Sequence, residues 1–81
     1  SQKNLAKDID VIQVDAHESI IDIIVRLGIT KSRGEARRLI KQNAVKINDS
    51  KISSEDTPLT NGDILRVGKK HTLKVALHPN Q

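Results

Sequence analysis

Every apolar side chain in this sequence is Ala, Val, Ile or Leu, because Phe, Tyr, Trp, Met and Cys are all absent. That restriction limits the folds available to the chain. With no cysteine there is no disulfide framework and no thiolate metal site, so the fold must rest on aliphatic packing. Eighty-one residues supply one small domain with a modest core. Missing cysteines agree with a reducing, cytoplasmic setting. No apolar run approaches the roughly 18 residues of a membrane span, and no signal-peptide pattern opens the chain. An opening Ser1 in place of Met reads as a fragment or processed chain.

The aliphatic residues change period along the chain. Residues 1–10 are polar and read as a flexible linker or tail. Val11 to Val14 is a short strand or an extended lead-in. Ile20, Ile24 and Leu27, broadened by Ile21 and Ile23, make one helical face. Asp15 or Ser19 is the N-cap, with Glu18 as one capping-box option, and Gly28 is the stop. Asp22 and Arg26 are spaced as an exposed i,i+4 pair. Ser32 and Glu35 cap a second helix carrying Ala36, Leu39 and Ile40.

From Val45 the period becomes two: "AVKIN", a turn at "NDSK", a loop through Pro58 and Asn61–Gly62, then Ile64 to Val67 and Thr72 to Leu77 around a turn at Gly68–Lys70. The expected fold is α+β, a helix-turn-helix-like hairpin packed on a mostly antiparallel sheet of three to four strands. It forms a single domain over 11–77 with a frayed end at 78–81.

The net charge of +4 is unevenly placed. Residues 31–51 hold Lys31, Arg33, Arg37, Arg38, Lys41, Lys46 and Lys51 against Glu35 and Asp49, whereas residues 1–30 are net acidic. Such a local field attracts a polyanion. On the second helix Arg33, Arg37 and Lys41 form a row at i, i+4, i+8, beside the apolar stripe. Arg38 lies further round, with Glu35 as its local partner. Like charges at i,i+4 repel, and here they do so twice in succession, a cost that an anionic ligand would relieve. Without aromatic rings the chain has no platform for stacking unpaired bases. Phosphate and 2′-hydroxyl contacts remain, which favours structured RNA or a DNA backbone.

Catalytic and metal chemistry find no support. His17, His71 and His78 lack metal-ligand spacing. Ser32 has a capping role with no His–Asp arrangement beside it.

The stretch "ITKSRGEARRLIKQNAVKINDSKI" resembles the core of the S-four RNA-binding domain, or alpha-L motif. With the closing "GDILRVGKKHTLKV", the chain most resembles the C-terminal domain of bacterial-type tyrosyl-tRNA synthetases over about residues 18–77. The resemblance implies an alpha-L fold. It also implies a non-catalytic domain docking on tRNA(Tyr), between the anticodon stem and the long variable arm. Its partners would be that RNA and the catalytic domain of a parent chain, with no membrane and no metal. ATP and magnesium would belong to the parent enzyme, whose HIGH and KMSKS signatures are absent here. Carried over by motif, the RNA contacts are Lys31, Arg33, Arg37, Arg38, Lys41, Lys46 and Lys51, with Lys69 and Lys70 at the last turn.

The chain departs from the pattern at Asn43 and Asp49, where the family has glycine. Aspartate there sets an anion beside Lys46 and Lys51. Three alternatives stand beside this reading. The same domain type could belong to a pseudouridine synthase or a ribosome-associated factor. The hairpin could be a DNA-binding helix-turn-helix module. The chain could also be a docking domain whose charge only confers solubility.

Overall fold

The computed structural model describes residues 9–78, with only the backbone of His78. Most of the expected tail over 1–10, and the expected end beyond His78, lie outside the described residues. The elements run β1 (Asp10–Asp15), α1 (Ile20–Arg26), α2 (Arg33–Lys41), β2 (Val45–Ile47), β3 (Ser50–Lys51), β4 (Ile64–Val67) and β5 (His71–His78). The strands form one sheet in the order β1-β5-β4-β2-β3. All neighbours are antiparallel except β1 and β5, which run parallel from Asp10↔Leu73 to Asp15↔His78. The class is α+β, as expected, but five strands replace three to four. The stretch around Val11–Val14, expected as a strand or an extended lead-in, is the strand β1, and the two-residue β3 is the addition; only the pairing of β1 with a strand some sixty positions away leaves no local signal.

The core is aliphatic throughout. Ile20, Ile21, Ile23 and Ile24 of α1 are fully buried, as are Ala36 of α2 and Val45 and Leu65 of the sheet. Val14, Val67 and Val75 join them, while Leu39 and Ile47 pack at the edge. Leu27, expected in this stripe, is instead 36% exposed, because it is the C-cap of α1 and lies beyond the last buried turn.

Capping explains where the helices begin and end. Ser19, not Asp15, starts α1: its Oγ accepts from the Asp22 amide at 3.1 Å, and Asp22 Oδ2 accepts from the Ser19 amide at 3.2 Å. Asp15 and Glu18 form a turn just ahead of it, where Glu18 Oε1 accepts from the Asp15 amide. Asp22 is therefore committed to the cap and to the Arg33 guanidinium, so the expected Asp22–Arg26 pair is not made. Arg26 reaches back to Glu18 at 2.5 Å and donates to the Gln13 carbonyl.

Ser32 caps α2 through the Glu35 amide. The Glu35 carboxylate, however, accepts from the Lys31 amide at 2.8 Å, one residue short of a full box. The expected Glu35–Arg38 pair is thus replaced.

Both helices end in the same double hydrogen bond. At α1 the Ile29 amide donates to Ile24 and the Gly28 amide to Val25; at α2 the Ala44 amide donates to Leu39 and the Asn43 amide to Ile40. This closure needs a left-handed residue just past the cap. Gly28 supplies it at φ 76° and Asn43 at φ 60°, so asparagine does at α2 what glycine does at α1.

Asp63 fastens the long loop to the sheet. Its carboxylate accepts from the Thr60 amide, the Thr60 hydroxyl and the Asn48 amide group, all within 2.9 Å. Burial, the largest single influence, raises its pKa, but these hydrogen bonds together hold it below the ordinary carboxylate value. Asp22 is also lowered, chiefly by the Arg33 hydrogen bond and then by the Ser19 amide.

Two outcomes are expected. Leu65→Ala leaves a cavity beneath the sheet and costs about 2–5 kcal/mol in urea unfolding. Both depressed carboxylates favour the fold above their unfolded pKa of about 4, and that contribution is lost as pH falls through the lower folded values. Melting temperature is therefore expected to drop below about pH 4, and to drop less steeply in Asp22→Asn and Asp63→Asn.

Candidate nucleic-acid interface

The basic side chains fall on two surfaces. The first is the α2 row. Arg33, Arg37 and Lys41 are all exposed on the flank of α2. Burial of Ala36 and Ile40 against the sheet turns them outward. Two of the three are held by carboxylates. Arg33 pairs with Asp22 of α1, which raises the pKa of its already charged guanidinium, and Arg37 Nε donates to Glu55 Oε1 at 2.6 Å. These partners fix the orientation of both guanidinium groups, and each leaves N–H donors over for another acceptor. Lys41 and Arg38 have no ion pair among the described residues. A shallow groove of about 90 Å³ runs beside the row, lined by Arg37, Ile40, Lys41, Ser53 and Glu55. Lys31 is exposed just ahead of the α2 cap.

The second surface belongs to the sheet. Lys46 of β2 stands opposite Lys51 of β3 and, on its other side, opposite Arg66 of β4. Lys69 and Lys70 are exposed in the β4–β5 turn, where Gly68 donates to the Ala44 carbonyl at 2.7 Å. The structure thus brings Lys46, Lys51 and Lys69 to one side of the sheet, and adds Arg66, which the sequence reading missed. The signal for Arg66 is its place in the alternation of β4, but only the strand register sets it against Lys46. Lys70 stays at the turn, outside the concavity that Lys69 lines.

The β2–β3 turn is built on Asn48 at φ 52° and Asp49 at φ 70°. Two successive left-handed residues are the signature of a tight hairpin turn that favours Asn-Gly. Asn48 also accepts from the Ile64 amide at 3.0 Å, tying the turn to β4. Asp49 makes no ion pair with Lys46 or Lys51 among the described residues. Nothing in the fold accounts for Gly34: a Cβ there would meet only Ser32 Oγ, at 3.9 Å.

Among the described residues there is no group of three or more His, Cys, Asp or Glu placed to hold a metal ion, and no helix is long and apolar enough to cross a membrane. What the surfaces offer is cationic hydrogen-bond donors on a rigid frame.

Comparison with known proteins then decides the family. Residues 2–73 match the model of the tyrosine–tRNA ligase SYY-like C-terminal domain. The chain belongs to that family. Its relatives include a tyrosine–tRNA ligase of Dehalococcoides mccartyi, 49% identical over 55 residues covering 68% of this chain and 14% of the relative. Tyrosine–tRNA ligase 2 of Clostridium acetobutylicum is 36% identical over 74 residues, 90% of this chain and 18% of the relative. The ligase of Aquifex aeolicus is 32% identical over 78 residues, 93% of this chain and 20% of the relative. The chain therefore spans a fifth or less of the length of these relatives, and what it matches is the non-catalytic C-terminal appendix of such ligases.

Asp49→Gly is expected to stabilise the domain by about 1 kcal/mol, since glycine enters the left-handed region without steric cost. Urea denaturation measures it.

Proposed function

We propose that this chain is the tRNA-docking appendix of a tyrosine–tRNA ligase, and that it holds tRNA(Tyr) between the anticodon stem and the long variable arm. The observation that carries the reading is the exposed row Arg33, Arg37 and Lys41 on α2, in a chain of this family. The row presents cationic donors at helical spacing to a phosphate backbone. Lys31 and Arg38 extend the same surface at the start of α2 and on its outer side.

The mechanism is binding energy spent on orientation. Phosphate contacts fix register without reading sequence, and the arrangement of the RNA arms supplies the choice of tRNA. The absence of aromatic side chains supports recognition by shape over capture of an unpaired strand. Tyrosine activation, with ATP and magnesium, belongs to the catalytic domain of the parent chain, and the setting is the cytoplasm.

Asp22 and Glu55 give this surface a built-in competition. Each carboxylate positions an arginine and also repels an approaching phosphate. Arg37→Ala is expected to weaken binding of the 81-residue chain to a tRNA with a long variable arm, and to lower the log–log salt slope by about 0.9. Glu55→Gln is expected to strengthen binding. Fluorescence anisotropy over a salt series checks both. Unchanged affinity and slope in Arg37→Ala would leave the row as a solvated face. Equal binding to duplex DNA would sink the tRNA-specific reading.

A further inference from the structure

The cations of the sheet are not used by the α2 row, and their arrangement is costly. The helices cover one face of the sheet, so Lys46, Arg66 and Lys51 line up on the other across β2, β4 and β3. Like charges directly opposed on neighbouring strands destabilise a sheet. None of Lys46, Lys51, Arg66 or Lys69 has an ion pair among the described residues. Lys46 is also half-buried.

These side chains surround a concavity of about 340 Å³ that begins where α2 ends, lined by Asn43, Ala44, Lys46, Arg66, Gly68 and Lys69. Three cations and no carboxylate face it. The groove along α2 is smaller, and Glu55 sits in it on Arg37.

We propose that this concavity is a second phosphate-binding site, taking the RNA backbone independently of the α2 row, so that the domain grips two backbone segments of one folded RNA. The proposal rests on the tRNA-docking reading above. Arg66 offers a planar fork for two non-bridging phosphate oxygens, and Lys46 and Lys69 act as point charges beside it. The exposed Asn43 side chain carries an amide donor suited to phosphate or a 2′-hydroxyl, and the closure of α2 fixes its backbone at the rim. Ala44 is the one aliphatic side chain in the lining, beside Gly68 and the carbon stems of the three cations. The lining therefore favours a backbone carrying one charge per phosphate over an acidic peptide that also needs its side chains accommodated.

The test is salt-titrated binding of the 81-residue chain to a tRNA with a long variable arm, comparing Arg66→Gln, Lys46→Gln, Arg66→Lys and Arg37→Ala, with melting followed in parallel. Arg66→Gln and Lys46→Gln are each expected to lower affinity roughly 3–10-fold and the salt slope by about 0.9. Melting temperature should rise by roughly 1–4 °C as the like-charge row is relieved. Arg66→Lys should restore the slope but not the full affinity, and the loss in Arg66→Gln should add to that in Arg37→Ala.

If the sheet variants bind like the parent while Arg37→Ala is weakened, the second site is overturned and the docking reading stands. If Arg37→Ala also binds like the parent, both fall. If poly-glutamate binds as tightly as the tRNA and loses as much in Arg66→Gln, the concavity is an acidic-polypeptide site and the proposal is overturned.

Discussion

Strand register against the two helices is the constraint on which the rest of this molecule depends. Side chains alternate across a strand, so burying Val45, Leu65 and Val67 under the helices sends Lys46 and Arg66 to the opposite face. A slip of one residue would exchange the two sets and place cations beneath four isoleucines. The core has no aromatic ring or sulfur to fill a gap, and its buried positions are held by Ile, Val, Leu and Ala alone. Its many β-branched Ile and Val side chains are stiff at χ1, and a close-packed interior of them accommodates few arrangements. Register is held at the margins by polar contacts: Asn48 and Asp63 tie the β2–β3 turn to the long loop, and Asn61 accepts from the Leu77 amide at 2.8 Å.

The same frame sorts the cations into two kinds. On α2, Arg33 and Arg37 each have a carboxylate partner from another element, so their positions are settled before any ligand arrives. Exposed pairs of this sort contribute little to stability, and their main consequence here is geometric. On the sheet, Lys46, Arg66 and Lys51 face one another without a counter-charge among the described residues. One surface is pre-oriented and partly neutralised; the other is electrostatically uncompensated. For a domain that would bind a folded RNA by its backbone, the two are complementary: orientation comes from the first and attraction from the second.

Much of the fold was legible from local pattern. The isoleucine run of α1, the Ser32 cap, the change of period after Asn43 and the closing hairpin all appear in the sequence, because each depends on residues within a turn or two. Tertiary competition decided the remainder. Asp22 looks like a partner for Arg26 but serves the Ser19 cap and Arg33. Glu35 looks like a partner for Arg38 but takes the Lys31 amide. Leu27 has helical spacing, but it is the C-cap just after the last helical residue, past the covered face.

The sequence by itself determined that the core would be aliphatic, that two short helices would precede a hairpin sheet, and that α2 would carry a cationic row. Those outcomes follow from residue size, capping and periodicity, which act within a few residues. Only the tertiary structure decided that β1 pairs in parallel with β5, that Glu55 holds Arg37, and that Arg66 joins Lys46 and Lys69 around one concavity. Glu55 and Arg37 lie 18 positions apart, Arg66 and Lys46 about 20, and the partners in β1 and β5 more than 60. Such contacts form only once the aliphatic face is buried, because burial sets the register that brings distant charges together.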